Sequence, residues 1–143
     1  MKVHTQPRLG HLLYIARNLK TTDRNEMLKA KDTRSPFKAI QESVNVSAHV
    51  DVLCDGYVPF AVIGLCPDGC VWLLSTENLQ ENAKSFSKYI KRKLEDLKRR
   101  EYTFFYNYVD PENKVTMNWL KRLGFTQGDA DSNGLVLMTK ENR

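Results

Sequence analysis

The stretch from Asn107 to Phe125 constrains this chain more than any other, because one short run holds a strand end, a turn, an amphipathic helix and a glycine stop. Thr103 to Val109 is rich in aromatic and β-branched side chains, which pack well on a pleated surface. Asp110-Pro111 then turns the chain. Val115, Trp119 and Leu123, with Met117 and Leu120 beside them, form an apolar stripe at helical spacing, and Gly124 can take the positive φ that ends such a helix. A helix this short gains its stability from packing, so it is expected to fold back on the sheet. Asn113 stands just before it, where its side-chain oxygen is expected to accept a first-turn amide hydrogen.

The rest of the chain reads as alternating periods. His11 to Ala16 contains Leu12-Leu13-Tyr14-Ile15, a compact apolar segment expected to be the first strand. One of Thr21, Thr22 and Asp23 is expected to cap a short helix through Met27 and Leu28, and Pro36 to sit in the first turn of a second helix ending near Val44. Val50 to Leu53 and Val58 to Leu65 flank Asp55-Gly56, a strong hairpin signal. A second turn at Pro67-Asp68-Gly69 leads into Val71 to Leu74, whose continuous apolar character suits a central strand covered on both faces. Ala83, Phe86, Ile90, Leu94 and Leu97 recur at spacings of three and four, with Tyr89 widening the stripe, which predicts the longest helix. Phe125 is expected to begin another strand and Leu135 to Thr139 to be the last, joined by a turn over Asp129 to Gly134. The order is strand, two helices, three strands, long helix, strand, helix, two strands. It predicts an α+β chain built as an α/β sandwich, with one domain over 1–143.

Composition sets outer bounds. A chain of 143 residues with 41% hydrophobic residues is long enough for one core. Three cysteines, Cys54, Cys66 and Cys70, give no even framework for disulfides, and the histidines form no cluster in sequence, so reduced thiols and no metal site are expected. Cys66 and Cys70 bracket a tight turn, which makes their proximity expected without requiring a bridge. No run approaches the roughly 20 apolar residues of a membrane span, and a soluble intracellular protein is expected. The formal charge of +5 gives only mild attraction to nucleic acid, for which Lys88, Arg92, Arg99 and Arg100 are the candidate contacts.

The element order, together with Trp119-Leu120-Lys121-Arg122-Leu123-Gly124-Phe125, resembles the Gcn5-related N-acetyltransferase (GNAT) superfamily over most of the chain. The resemblance implies a mixed, splayed sheet flanked by helices. It also implies that acetyl-coenzyme A enters where the fourth and fifth strands separate, with its pyrophosphate at the next helix amino terminus and a later tyrosine protonating the departing thiolate. Here the cleft would lie between Val71-Ser75 and Phe104-Asp110. Leu74, Ser75, Thr76, Asn107 and Asn113 are its implied coenzyme contacts. The family's tyrosine position falls at Leu120, which carries no proton to deliver, leaving Tyr106 or Tyr108 as candidate acids. The segment Ser75 to Asn82 lacks the glycines of the family's phosphate loop, and Glu77 and Glu81 oppose a diphosphate. Glu42, Asp110 and Glu112 are expected at the surface, His11 and His49 at polar edges, and Cys66 and Cys70 as space-fillers around their hairpin.

More narrowly, Pro59-Phe60-Ala61-Val62-Ile63-Gly64, Val71-Trp72-Leu73-Leu74-Ser75-Thr76 and Asn107-Tyr108-Val109-Asp110 resemble a phage family related to the internal virion protein A of short-tailed phages. That resemblance implies an accessory or internal virion protein. It would use the acetyltransferase-like fold for protein binding or virion morphogenesis, without a cofactor, in the host cytoplasm during infection or in the virion. Phage structural proteins or a host protein would be its partners. Two further readings stay open: an acetyl-coenzyme A-dependent N-acetyltransferase acting on a protein or small amine, and an early effector that inhibits a host enzyme.

Overall fold

Strands that are apolar along their whole length need cover on both faces, and the amino-terminal sheet receives it. The structure, a computed structural model, describes residues 1–30, 34–100 and 102–142. β1 (Lys2–His4), β2 (His49–Asp55), β3 (Val58–Leu65) and β4 (Val71–Ser75) lie side by side in that order, all antiparallel. Leu53, Phe60 and Ile63 share one buried cluster with Phe86, Ile90 and Leu94 of α4 (Ala83–Arg99). Val52, Cys54 and Val62 turn to the other face, under α1 (Leu9–Arg17) and α3 (Pro36–Val46). This alternation is the period of two expected along a strand. Tyr89 of α4 also places its hydroxyl on Asp51 of β2, while Lys93 pairs with the same carboxylate at 3.1 Å.

A second sheet, ordered β5 (Phe104–Val109), β7 (Val136–Glu141), β6 (Thr126–Ala130), completes the sandwich with α5 (Lys114–Arg122) packed on it. Trp119 meets Phe86 edge to face at 5.4 Å, which ties α5 to α4. The sheets touch at one parallel bridge, Cys70 to Tyr106, where the Tyr106 N–H donates to the Gly69 carbonyl at 3.0 Å. Beyond it β4 and β5 part, giving the mixed, splayed sheet flanked by helices.

The hairpins, α3, α4, β5 and α5 lie where the sequence puts them, with Ser35 Oγ capping α3 ahead of Pro36. Two expectations fail at the amino terminus. His11 to Ala16 is helical, inside α1, because Leu12, Ile15, Ala16 and Leu19 are buried at spacings of three and one that make a helical face, while Tyr14 is exposed. The first strand is instead β1, a polar edge segment with no apolar alternation to announce it. The cap expected from Thr21, Thr22 or Asp23 is also absent: α2 (Thr21–Lys29) begins after Lys20 without a side-chain cap. All three cysteines are free thiols. Among the described residues no helix is long and apolar enough to cross a membrane.

Gly69 makes the bridge between sheets possible. It holds φ +98°, and a Cβ there would lie 2.3 Å from the Phe104 carbonyl oxygen. Gly69→Ala is therefore expected to destabilise the protein by about 2 to 4 kcal/mol, combining left-handed backbone strain with a clash against main chain that cannot rotate away. Denaturant unfolding measures it, and a change below about 0.5 kcal/mol would contradict the role given to this contact.

Candidate functional site

The opening between β4 and β5 is the place to look for chemistry, because strand ends there expose backbone groups that no neighbour strand pairs. In this protein those of Ser75 are already engaged. The Ser75 N–H donates to Asp23 Oδ2 at 3.0 Å, its hydroxyl reaches the same oxygen at 3.4 Å, and its carbonyl accepts from the Lys20 N–H at 2.9 Å. Asp23 comes from the first turn of α2, whose sequence has no continuous apolar face, and it is the most deeply buried residue of that helix, with Glu26 and Met27 half-buried beside it. A helix without an apolar stripe has to be fastened by polar contacts, and α2 is fastened into the cleft.

Across the opening, Asn113 closes the network. It does precede α5, but its side chain makes no cap; its Nδ2 donates to Asp23 Oδ1 and to Glu26 Oε2, each at 3.1 Å. The Asp110 N–H also donates to Glu26 Oε2 at 3.1 Å, and Lys29 Nζ sits 3.0 Å from Asp110 Oδ1. Asp110, expected at the surface, is thus buried, because the turn after β5 carries it under α2. Burial raises the pKa of Asp23, against the pull of Lys20 and of its hydrogen bonds. Burial likewise pushes Glu26 up to about 7, opposed by the bonds from Asn113 and Asp110 and reinforced by the charges of Asp23 and Asp110.

What remains of the cleft is a cavity of about 10 Å³, walled by Asp23, Glu26, Asn107, Asn113, Trp119 and Leu120. Asn113 Oδ1 and Trp119 Nε1 are buried without a protein hydrogen-bond partner. The implied coenzyme contacts are therefore divided. Ser75, Asn107 and Asn113 do meet around the opening. Leu74 packs among the residues on the α1 and α3 side, and Thr76 spends its N–H on Phe60 O and its hydroxyl on Asn78 N–H. Tyr106 donates its hydroxyl to Asp68 Oδ2 at 2.6 Å, a bond that raises its pKa, and Tyr108 stands 45% exposed. Neither tyrosine lines the cavity, whereas Leu120 does.

The helix start that would face a diphosphate shows the same departure. A 3₁₀ segment, Glu77–Asn82, precedes α4 and is capped by Thr76, and Glu77 accepts from the Thr21 N–H at 3.4 Å. A groove of about 430 Å³ runs between this segment and α5, with Gln80, Asn118 and Arg122 on its walls. The residues at the β4 edge do not fit acetyl-coenzyme A while α2 is seated: the strand amide at Ser75 is bonded, and two carboxylates occupy the gap. Sequence reasoning missed Asp23 and Glu26. Their signal was a short helix too polar to be held by its own apolar face.

No family model and no curated protein matches the chain. Solved structures do match it along nearly its whole length. An aminoglycoside 6'-acetyltransferase type Ii superposes with a TM-score of 0.70 at 13% identity, covering 100% of this chain and 98% of that one. The GNAT domain of S. lividans PAT gives 0.70 at 14% identity, covering 97% and 89%. The ribosomal-protein-S18-alanine N-acetyltransferase from Escherichia coli gives 0.68 at 9% identity, covering 99% and 93%. On this whole-chain likeness, and with a sheet splayed between β4 and β5 and helices on both faces, this protein has the fold of the Gcn5-related N-acetyltransferases.

Proposed function

We propose that this chain uses the acetyltransferase-like fold as a protein-binding scaffold in phage virion morphogenesis, acting on phage structural proteins in the infected host's cytoplasm or inside the virion. One observation carries the non-catalytic part: both backbone polar groups of Ser75, at the strand edge where a coenzyme arm would pair, are bonded to the Lys20–Asp23 segment. The glycine-free segment after β4 and Leu120 in the cavity wall support the same reading. The phage assignment rests on the resemblance of the Pro59–Gly64, Val71–Thr76 and Asn107–Asp110 stretches. Calorimetry with acetyl-coenzyme A is expected to show no saturable binding at millimolar ligand. A phage deleted for this chain is expected to assemble defective particles, and normal particles from that deletion would overturn the morphogenesis role.

A second reading is favoured by the comparisons. The whole-chain likeness in fold to acetyltransferases supports acetyl-coenzyme A-dependent N-acetylation of a protein or small amine, with Tyr106 or Tyr108 as the acid. It requires α2 to leave Ser75, and saturable coenzyme binding in the calorimetric experiment would establish it over the first.

A further inference from the structure

Two imidazoles and a thiol that the sequence scatters are brought together on the far side of the amino-terminal sheet. His4 ends β1, where it lies opposite Val52, and Cys54 lies opposite Lys2. Val52 and Cys54 share a face, so His4 and Cys54 are diagonal neighbours across the strand pair. α1 packs over that face through Leu12, Ile15 and Ala16, and its first turn brings His11 down beside them. One donor atom from each of His4, His11 and Cys54 lies within 4.8 Å of the other two, and the two imidazole rings are 4.9 Å apart at 52°.

We propose that His4, His11 and Cys54 form a three-ligand site for a divalent cation of the zinc class. Two imidazole nitrogens and a thiolate are a borderline-soft donor set, which suits zinc and disfavours magnesium or calcium. Zinc bonds of about 2.0 to 2.3 Å place tetrahedral donors roughly 3.3 to 3.7 Å apart, so the three side chains need to close by about 1 Å. Both histidines are only half-buried, while Cys54 is buried in the core, so the closing movement falls to the imidazoles. Water or a donor from a partner fills the fourth position on the open side, as in zinc sites with three protein ligands. His11 Nδ1 accepts from the Arg8 N–H at 3.4 Å, a long bond that yields when the ring presents a lone pair to the metal. The site would pin a three-residue edge strand and the first helix to the sheet at one point.

The test uses reduced, tag-free full-length protein titrated with Co²⁺ as a spectroscopic stand-in, then with Zn²⁺. One equivalent of Co²⁺ is expected to give a thiolate-to-cobalt charge-transfer band that Zn²⁺ bleaches. His4→Gln and His11→Gln are each expected to weaken Zn²⁺ binding by at least about 100-fold, beyond the loss typical of an outer-shell partner. Cys54→Val is expected to remove the band, and Cys66→Ser with Cys70→Ser to leave it unchanged. If Cys54→Val does not fold, by far-ultraviolet circular dichroism, the two histidine variants decide the question. Absence of the band in the parent protein would overturn the site. So would a band that survives both histidine substitutions, or one lost only with Cys66 and Cys70.

Discussion

Replacing Glu26 by glutamine is expected to stabilise the protein by about 2 to 3 kcal/mol at about pH 8 and to change little at about pH 4. The folded protein holds the Glu26 carboxyl at about 7 against an ordinary 4.5, chiefly because the group is buried. Between those values the folded state keeps a proton that the unfolded chain releases. The contribution of this group to stability is therefore fully present below 4.5 and is lost as the pH rises through about 7. Glutamine keeps an oxygen to accept from Asn113 Nδ2 and the Asp110 N–H, and it has no proton to lose. Denaturant unfolding across this range should show the parent falling away from the variant as pH rises. Asp23, whose pKa is also raised by burial, adds a slope of the same sign to both proteins, so the difference between them reports Glu26 together with its coupling to Asp23. Parallel curves would show that Glu26 is not buried between α2 and the Asp110–Asn113 turn.

Asp23→Ala carries the other large effect, a loss of about 2 to 4 kcal/mol. The substitution strips the acceptor from the fully buried Ser75 N–H and one of two acceptors from Asn113 Nδ2. It also removes the carboxylate 3.9 Å from Lys20 Nζ, an ammonium that is only 8% exposed. Leaving buried donors and a charge without partners costs more than the pair contributes when intact, since the partners are desolvated in either case. Burying the carboxylate is itself unfavourable, as the raised pKa shows, which keeps the expected loss below the upper range for a broken buried pair. Asp23→Asn should cost less at Ser75 but sets its own amide against Asn113 Nδ2, unless Asn113 turns over and presents Oδ1, which now has no protein partner. A loss below about 1 kcal/mol for Asp23→Ala would mean that α2 is not held by this contact. The same variant bares the Ser75 edge, so coenzyme titration of it asks whether α2 alone keeps the cleft closed.

The candidate site was only half legible before folding. The strands Val71–Ser75 and Phe104–Val109 follow from composition and from the glycine-ended helix after β5, whereas their parting and the placing of Ser75, Asn107 and Asn113 around it were implied by the family resemblance alone. The role of Asn113 did not. A residue before a helix is read as a cap because the nearest unpaired donors are the helix's own, yet here carboxylates of a distant helix offer better acceptors. Tyr106 was a candidate acid by position alone, and its hydroxyl is taken by Asp68 of the adjoining turn.

By itself the sequence determined the elements whose periodicity is local: the Asp55-Gly56 hairpin, the apolar β3 and β4, the long stripe of α4, and the β5–α5 unit closed by Gly124 at φ +97°. Tertiary structure alone decided that Leu12 to Ala16 is a helix rather than a strand, since a short apolar run satisfies both periods until a sheet face selects one. It alone seated α2 in the opening, through an Asp23–Asn113 contact that spans 90 residues, and brought His4 and His11 to Cys54. Polar contacts between distant segments leave no period in the sequence, because any one carboxylate or imidazole is equally at home in water until folding buries its partner.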